Sequence, residues 1–153
     1  MDLHPTAWRA RHDDFAVAVR QLRRLGLEGP GDSFAEQLSA LSDALQQHMA
    51  YEEDQLLPRY ATTAPPEGPG SVDSVRRDHR LIRDHLAALS LAPQTAAEAL
   101  FVADRAAKLE HLLEHHDLRE ARFVLPALDA LGVCIDLDEL PVATVPLGPL
   151  GPV

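Results

Sequence analysis

The sequence predicts an all-α protein: an up-down-up-down four-helix bundle built from two repeated helical hairpins, with an irregular C-terminal tail. Three observations carry that expectation. Apolar residues recur at helical spacing in four segments, separated by breaks containing Pro or Gly. Two of these segments share a pattern, His48-x3-Glu52 followed by Pro58 and His116-x3-Glu120 followed by Pro126. Each pattern has an upstream histidine at nearly the same distance, His12 lying 36 residues before His48 and His79 lying 37 before His116.

The first helix is expected over residues 7–25, where His12, Phe15, Val19 and Leu22 form one stripe and Gly26, Gly29, Pro30 and Gly31 end it. A capping box at Ser33 and Glu36 starts the second helix, which runs to about Tyr60 with the stripe Phe34, Leu38, Leu41, Leu45, His48, Glu52. Residues 61–71 form a Pro- and Gly-rich loop. The third helix covers about 72–90 with the stripe His79, Ile82, Leu86, Leu89. A second capping box, Thr95 and Glu98, opens the fourth helix, which runs to about Leu131. Its stripe, Val102, Ala106, Leu109, Leu113, His116, Glu120, repeats the offsets of the second helix. Residues 1–131 are thus expected to form the bundle and 132–153 a Pro-rich tail, which either drapes over it, pairs with a second chain or is loose.

Helix rise tests whether the ligands meet. From His12 up the first helix is roughly 20 Å, and from Ser33 down to His48 roughly 22 Å, so the two histidines share a level. In the second hairpin the climb from His79 is about 17 Å and the descent to His116 about 31 Å. That mismatch calls for a later start of the fourth helix or an overhanging end.

Composition narrows the function. With 153 residues and 46% hydrophobic content, the chain suits a single globular domain. A formal charge of −10 argues against nucleic-acid phosphates as partners. Cys134 is the single cysteine, which excludes an internal disulfide and a cysteine-based zinc site. The N-terminus lacks an apolar signal region and there is no membrane-length apolar run, so a cytoplasmic location without a membrane partner is expected. Composition does not separate a monomer from a homodimer.

The eight histidines matter by position. An imidazole on a buried stripe must be neutral and hydrogen-bonded or hold a metal, and a buried carboxylate is rare unless paired. His12, His48, His79, His116, Glu52 and Glu120 on facing stripes answer each other's need by binding cations. Imidazole with carboxylate suits iron, manganese or zinc. In the simplest arrangement both glutamates bridge two metals, His12 and His48 capping one, His79 and His116 the other. Open positions would remain for water, dioxygen, peroxide or nitric oxide. A satisfied core histidine is the competing reading for His12 and for His79. Asp117 and Glu53 stand next to ligands and are candidates for an outer shell. His4 is expected to be solvated and His85 lies off the face of His79, while His111 and His115, one turn apart and at a different angle from His116, either hold a surface metal together or are simply exposed.

This set of six residues resembles the hemerythrin-like, or HHE cation-binding, family. The segments HMAYEEDQLLP, HHDLREARFVLP and RRDHRLIRDHL resemble the family's local contexts, and the resemblance spans about residues 8–131. It implies a four-helix bundle with a carboxylate-bridged, non-haem centre of two iron ions that interacts with oxygen or related small molecules. The chain departs from the oxygen-carrying members twice. Arg83 stands where they place a second third-helix histidine, and Ala121 where they place an aspartate, with Glu120 offered instead. Fewer nitrogen ligands make a more open site, which favours reaction or sensing over reversible oxygen carriage. Peroxidase-like or catalase-like turnover is one outcome of such a site. An iron-sensing or metal-binding interaction module without turnover is a second, and a structural bundle with adventitious zinc a third. A ferritin-type oxidase fits less well, since Leu45 and Leu113 occupy the positions three before the two histidines.

Overall fold

A computed structural model describes residues 5–28, 32–89 and 93–135. His4, residues 29–31, Ser90 and the residues from 136 onward lie outside the described residues. The described residues form helices joined by turns, with no strand among them. Helix α1 is Pro5–Glu28. The second bundle helix comprises α2 (Asp32–Tyr51), a π-helical turn (Glu52–Leu56) and α3 (Leu57–Tyr60). The third is α4 (Val72–Ala88). The fourth comprises α5 (Ala96–Arg119), a second π turn (Glu120–Val124) and α6 (Leu125–Ala130).

The four-helix architecture matches the expectation, and every residue of the four stripes is buried. The Thr95 capping box is present: Thr95 Oγ1 accepts from the Glu98 N–H and Glu98 Oε2 from the Thr95 N–H, both at 3.1 Å. α2 starts at Asp32, so Ser33 falls inside its first turn and not at the expected cap position.

Gly26 does not end the first helix. It is buried within α1, and a Cβ built there would lie 2.8 Å from Val102 Cγ1 on α5. The glycine lets the two helices approach closely. Gly26 and Val102 lie equally far along their helices from His12 and His116, so α1 and α5 run antiparallel in register. α4 is the short member: Leu89 caps it, and α5 extends past it at that end. This overhang absorbs the length mismatch of the second hairpin.

The sequence reading did not anticipate the π turns. Pro58 and Pro126 lack an N–H, and a proline ring crowds the carbonyl four residues back. The backbone widens instead: the Leu57 N–H bonds the Glu52 carbonyl and the Leu125 N–H bonds the Glu120 carbonyl, five residues back in each case. The inserted residue turns the inward face, so Tyr60 and Leu128 are buried, not Arg59 and Ala127.

Two apolar clusters fill the interior. One contains Phe15, Leu45, Ile82 and Leu113, the other Trp8, Leu56, Val75 and Val124. Each bundle helix passes from one cluster to the other through the candidate ligands. Val133 and Ile135, just beyond α6, are buried in the second cluster. The 61–71 loop docks there too. Tyr60 Oη donates to the Gly70 carbonyl, and a Cβ on Gly70 would lie 2.9 Å from the Phe123 ring.

Helix propensity alone would favour Gly26→Ala by about 1 kcal/mol. Overpacking against the stiff Val102 costs about 1–3 kcal/mol. The expected result in denaturant titrations is a net loss of stability that Gly26→Ala combined with Val102→Ala recovers in part.

Candidate metal centre

All six residues singled out in the sequence meet in the layer between the two apolar clusters. His12, His48, Glu52, His79, His116 and Glu120 are each at most 8% exposed. Their ligand atoms converge. His12 Nε2 is 2.9 Å from His48 Nε2. Glu52 reaches His48 Nε2 at 2.6 Å, His79 Nε2 at 2.7 Å and His116 Nε2 at 3.5 Å. Glu120 reaches His12 Nε2 at 3.3 Å and His116 Nε2 at 3.7 Å. One ligand atom from each of His12, Glu52, His116 and Glu120 lies within 4.8 Å of the other three.

The layer is electrostatically unresolved without a cation. Burial opposes the charge of Glu52, yet His48, His116 and His79 hold its carboxyl well below the usual range. Burial and the nearby charge of Glu52 push Glu120 the other way, up to about 8. Burial works against a charged His116, but Glu120, Asp78 and Glu52 raise it well above the ordinary histidine value. Glu52 Oε1 is off the hydrogen-bond direction of His48, and neither ring nitrogen of His116 has an aligned partner among the described residues. Buried polar atoms are rarely left so. Four imidazoles and two carboxylates, with orphaned atoms on Glu52 and His116, fit a metal such as iron, manganese or zinc.

Two of the four histidines are hydrogen-bonded from behind and a third faces a carboxylate, each from the helix next to it. Glu53, beside Glu52, accepts from His79 Nδ1–H at 2.7 Å. Asp78, beside His79, lies 3.6 Å from His116 Nδ1. Asp117, beside His116, accepts from His12 Nδ1–H at 2.7 Å. This leaves the Nε2 lone pairs of His12 and His79 facing the centre. Arginines hold two of the carboxylates: Arg83 donates to Glu53 at 3.0 Å and Arg119 to Asp78 at 2.7 Å. Burial works against the charges of Glu53 and Asp78, and these partners keep both carboxyls below the ordinary range. The hydrogen bond from His12 does the same for Asp117. His48 instead faces Trp8, with ring centroids 4.8 Å apart.

Glu53 and Asp117 were legible as neighbours of the ligands; Trp8, Asp78 and Arg119 were missed. Trp8 donates from Nε1 to Glu120 Oε2 at 3.0 Å and is 1% exposed. Its signal was its place one turn before His12. Asp78 showed the same adjacency as the other two braces. The partner of Arg119 across the bundle had no sequence signature. Arg83 bonds Gln46 as well as Glu53, and both Arg83 and Gln46 line a cleft of about 440 Å³ between α2 and α4.

Residues 4–128 match the family model described as the Hemerythrin HHE cation binding domain. No curated protein and no solved structure matches the chain. No described helix is long and apolar enough to cross a membrane.

A carboxyl raised in the fold stabilises the folded state most below its unfolded value. That contribution is lost as pH rises from 4.5 towards about 8. Metal-free protein should therefore lose stability over that interval at Glu120. In chelator-treated melts, Glu120→Gln should narrow the gap between pH 5, close to the lower limit, and pH 9, about one unit past the upper. An unchanged pH profile would contradict this electrostatic account.

Proposed function

Because the chain belongs to the hemerythrin HHE cation-binding family, we propose that it holds two iron ions at this layer and reacts with dioxygen, peroxide or nitric oxide. The convergence of four Nε2 atoms on two buried carboxylates carries this reading. Glu52 and Glu120 would bridge, with His12 and His48 on one ion and His79 and His116 on the other. The shared cluster of His12, Glu52, His116 and Glu120, which draws on both histidine pairs, supports bridging carboxylates. Bound iron would supply redox change and open positions for the small ligand. Manganese or zinc would suit the same donors.

The chain's own residues do the rest. The two glutamates neutralise charge that the apolar clusters could not solvate. Asp117 and Glu53 fix ring orientation at His12 and His79. Trp8 holds one oxygen of Glu120 and walls off that side of the layer. Peroxidase-like or catalase-like turnover follows if an electron donor or a second peroxide reaches the centre.

A second reading, an iron-sensing module without turnover, is favoured by one contact. Arg119 ties Asp78, behind His116, to the Pro69 carbonyl of the 61–71 loop. A change in metal occupancy would then reach a surface loop through one side chain.

Mixing anaerobically iron-loaded protein with peroxide or nitric oxide should change its visible absorption promptly. No change with either, combined with iron-dependent protection of 61–71 in hydrogen exchange, would favour the sensor. Glu53→Gln and Asp117→Asn should each weaken iron binding about 10–100-fold. Competition with a chelator measures this, and unchanged affinity would remove the outer carboxylates from the account.

A further inference from the structure

On the outer face of α5, His111 and His115 stand one turn apart with both rings exposed. Their Nε2 atoms are 3.1 Å apart and their ring centroids 4.5 Å apart. Neither belongs to the buried layer, to which α5 contributes His116 from its inward face. Two imidazoles in this contact share a single N–H, one donating and the other accepting. In water such a hydrogen bond stabilises by only about 1 kcal/mol.

The separation suits another role. With metal–nitrogen bonds of about 2.0–2.1 Å, two nitrogens on one ion lie about 2.9 Å apart at a right angle and about 3.3 Å apart at the tetrahedral angle. The surface pair falls between these limits. The chain shows the same arrangement inside, where His12 Nε2 and His48 Nε2 are 2.9 Å apart. Glu114 adds a carboxylate 3.9 Å from His111 Nδ1, giving the pair a negative flank.

We propose that His111 and His115 form a second metal site, a solvent-facing clamp for a borderline divalent ion such as Cu²⁺ or Zn²⁺. Two imidazoles bind the ion through Nε2, and water fills its remaining positions. The ligand type ranks Cu²⁺ above Zn²⁺. Exposure makes the ion exchangeable, unlike one enclosed between the apolar clusters. The site does not depend on what the buried layer holds.

The test is Cu²⁺ titration of the full chain whose buried layer has first been saturated with metal, followed by calorimetry and by the nitrogen couplings in the copper electron paramagnetic resonance spectrum. The expected result is one further Cu²⁺ per chain with imidazole coordination. Binding should weaken about tenfold or more in His111→Ala and in His115→Ala. Circular dichroism checks that both variants remain helical. Equal binding by the double variant would place the copper elsewhere and overturn the proposal. So would absence of binding once the buried layer is filled, which would assign the copper to that layer.

Discussion

Glu52 and Glu120 are 1% and 2% exposed and lie in one layer of the bundle. The rest of the site is arranged around that fact. Taking a carboxylate out of water costs several kcal/mol even after relaxation, and a second negative charge beside it adds repulsion. The opposed displacement of the two carboxyls, Glu52 downward and Glu120 up to about 8, expresses the conflict. Four surrounding imidazoles ease it in part. Positive charge among these oxygens and nitrogens would remove it.

The backbone delivers this layer by repetition. Each bundle helix enters from one apolar cluster, presents a ligand candidate and leaves into the other cluster. Both glutamates open π turns, and in both a proline two residues past the turn removes the N–H that an α-helix would use. The extra residue lets Leu56, Leu57 and Tyr60, and equally Val124, Leu125 and Leu128, close the layer from below. The bracing carboxylates follow the same economy of position. Glu53, Asp78 and Asp117 are each adjacent in sequence to a ligand candidate of their own helix and serve a histidine on another. α1 breaks the pattern by offering the Trp8 ring to His48.

Much of this was legible in the sequence because burial has a period. The stripes containing His12, His48, His79 and His116 placed the ligands on inward faces, and the repeated His-x3-Glu pattern marked their common level. The overhang of α5 was legible as a mismatch in helix rise, though not its form. Gly26 was misread because a glycine that ends a helix and one that admits a neighbouring helix look alike until Val102 is seen opposite. The π turns were missed although their cause, the proline ten residues after each histidine, was in view. Periodicity assumes a constant rise and twist. Trp8 to Glu120 and Arg119 to Asp78 span 112 and 41 residues, and pairings across such distances carry no local signature.

The most direct measurement is the iron content of protein loaded anaerobically with ferrous iron and freed of excess metal, for the wild-type chain and for Glu52→Ala. The account predicts about two ions per chain in the wild type and loss of both in the variant, since Glu52 contacts three of the four histidines. No retained iron, or retention that does not depend on Glu52, would contradict it.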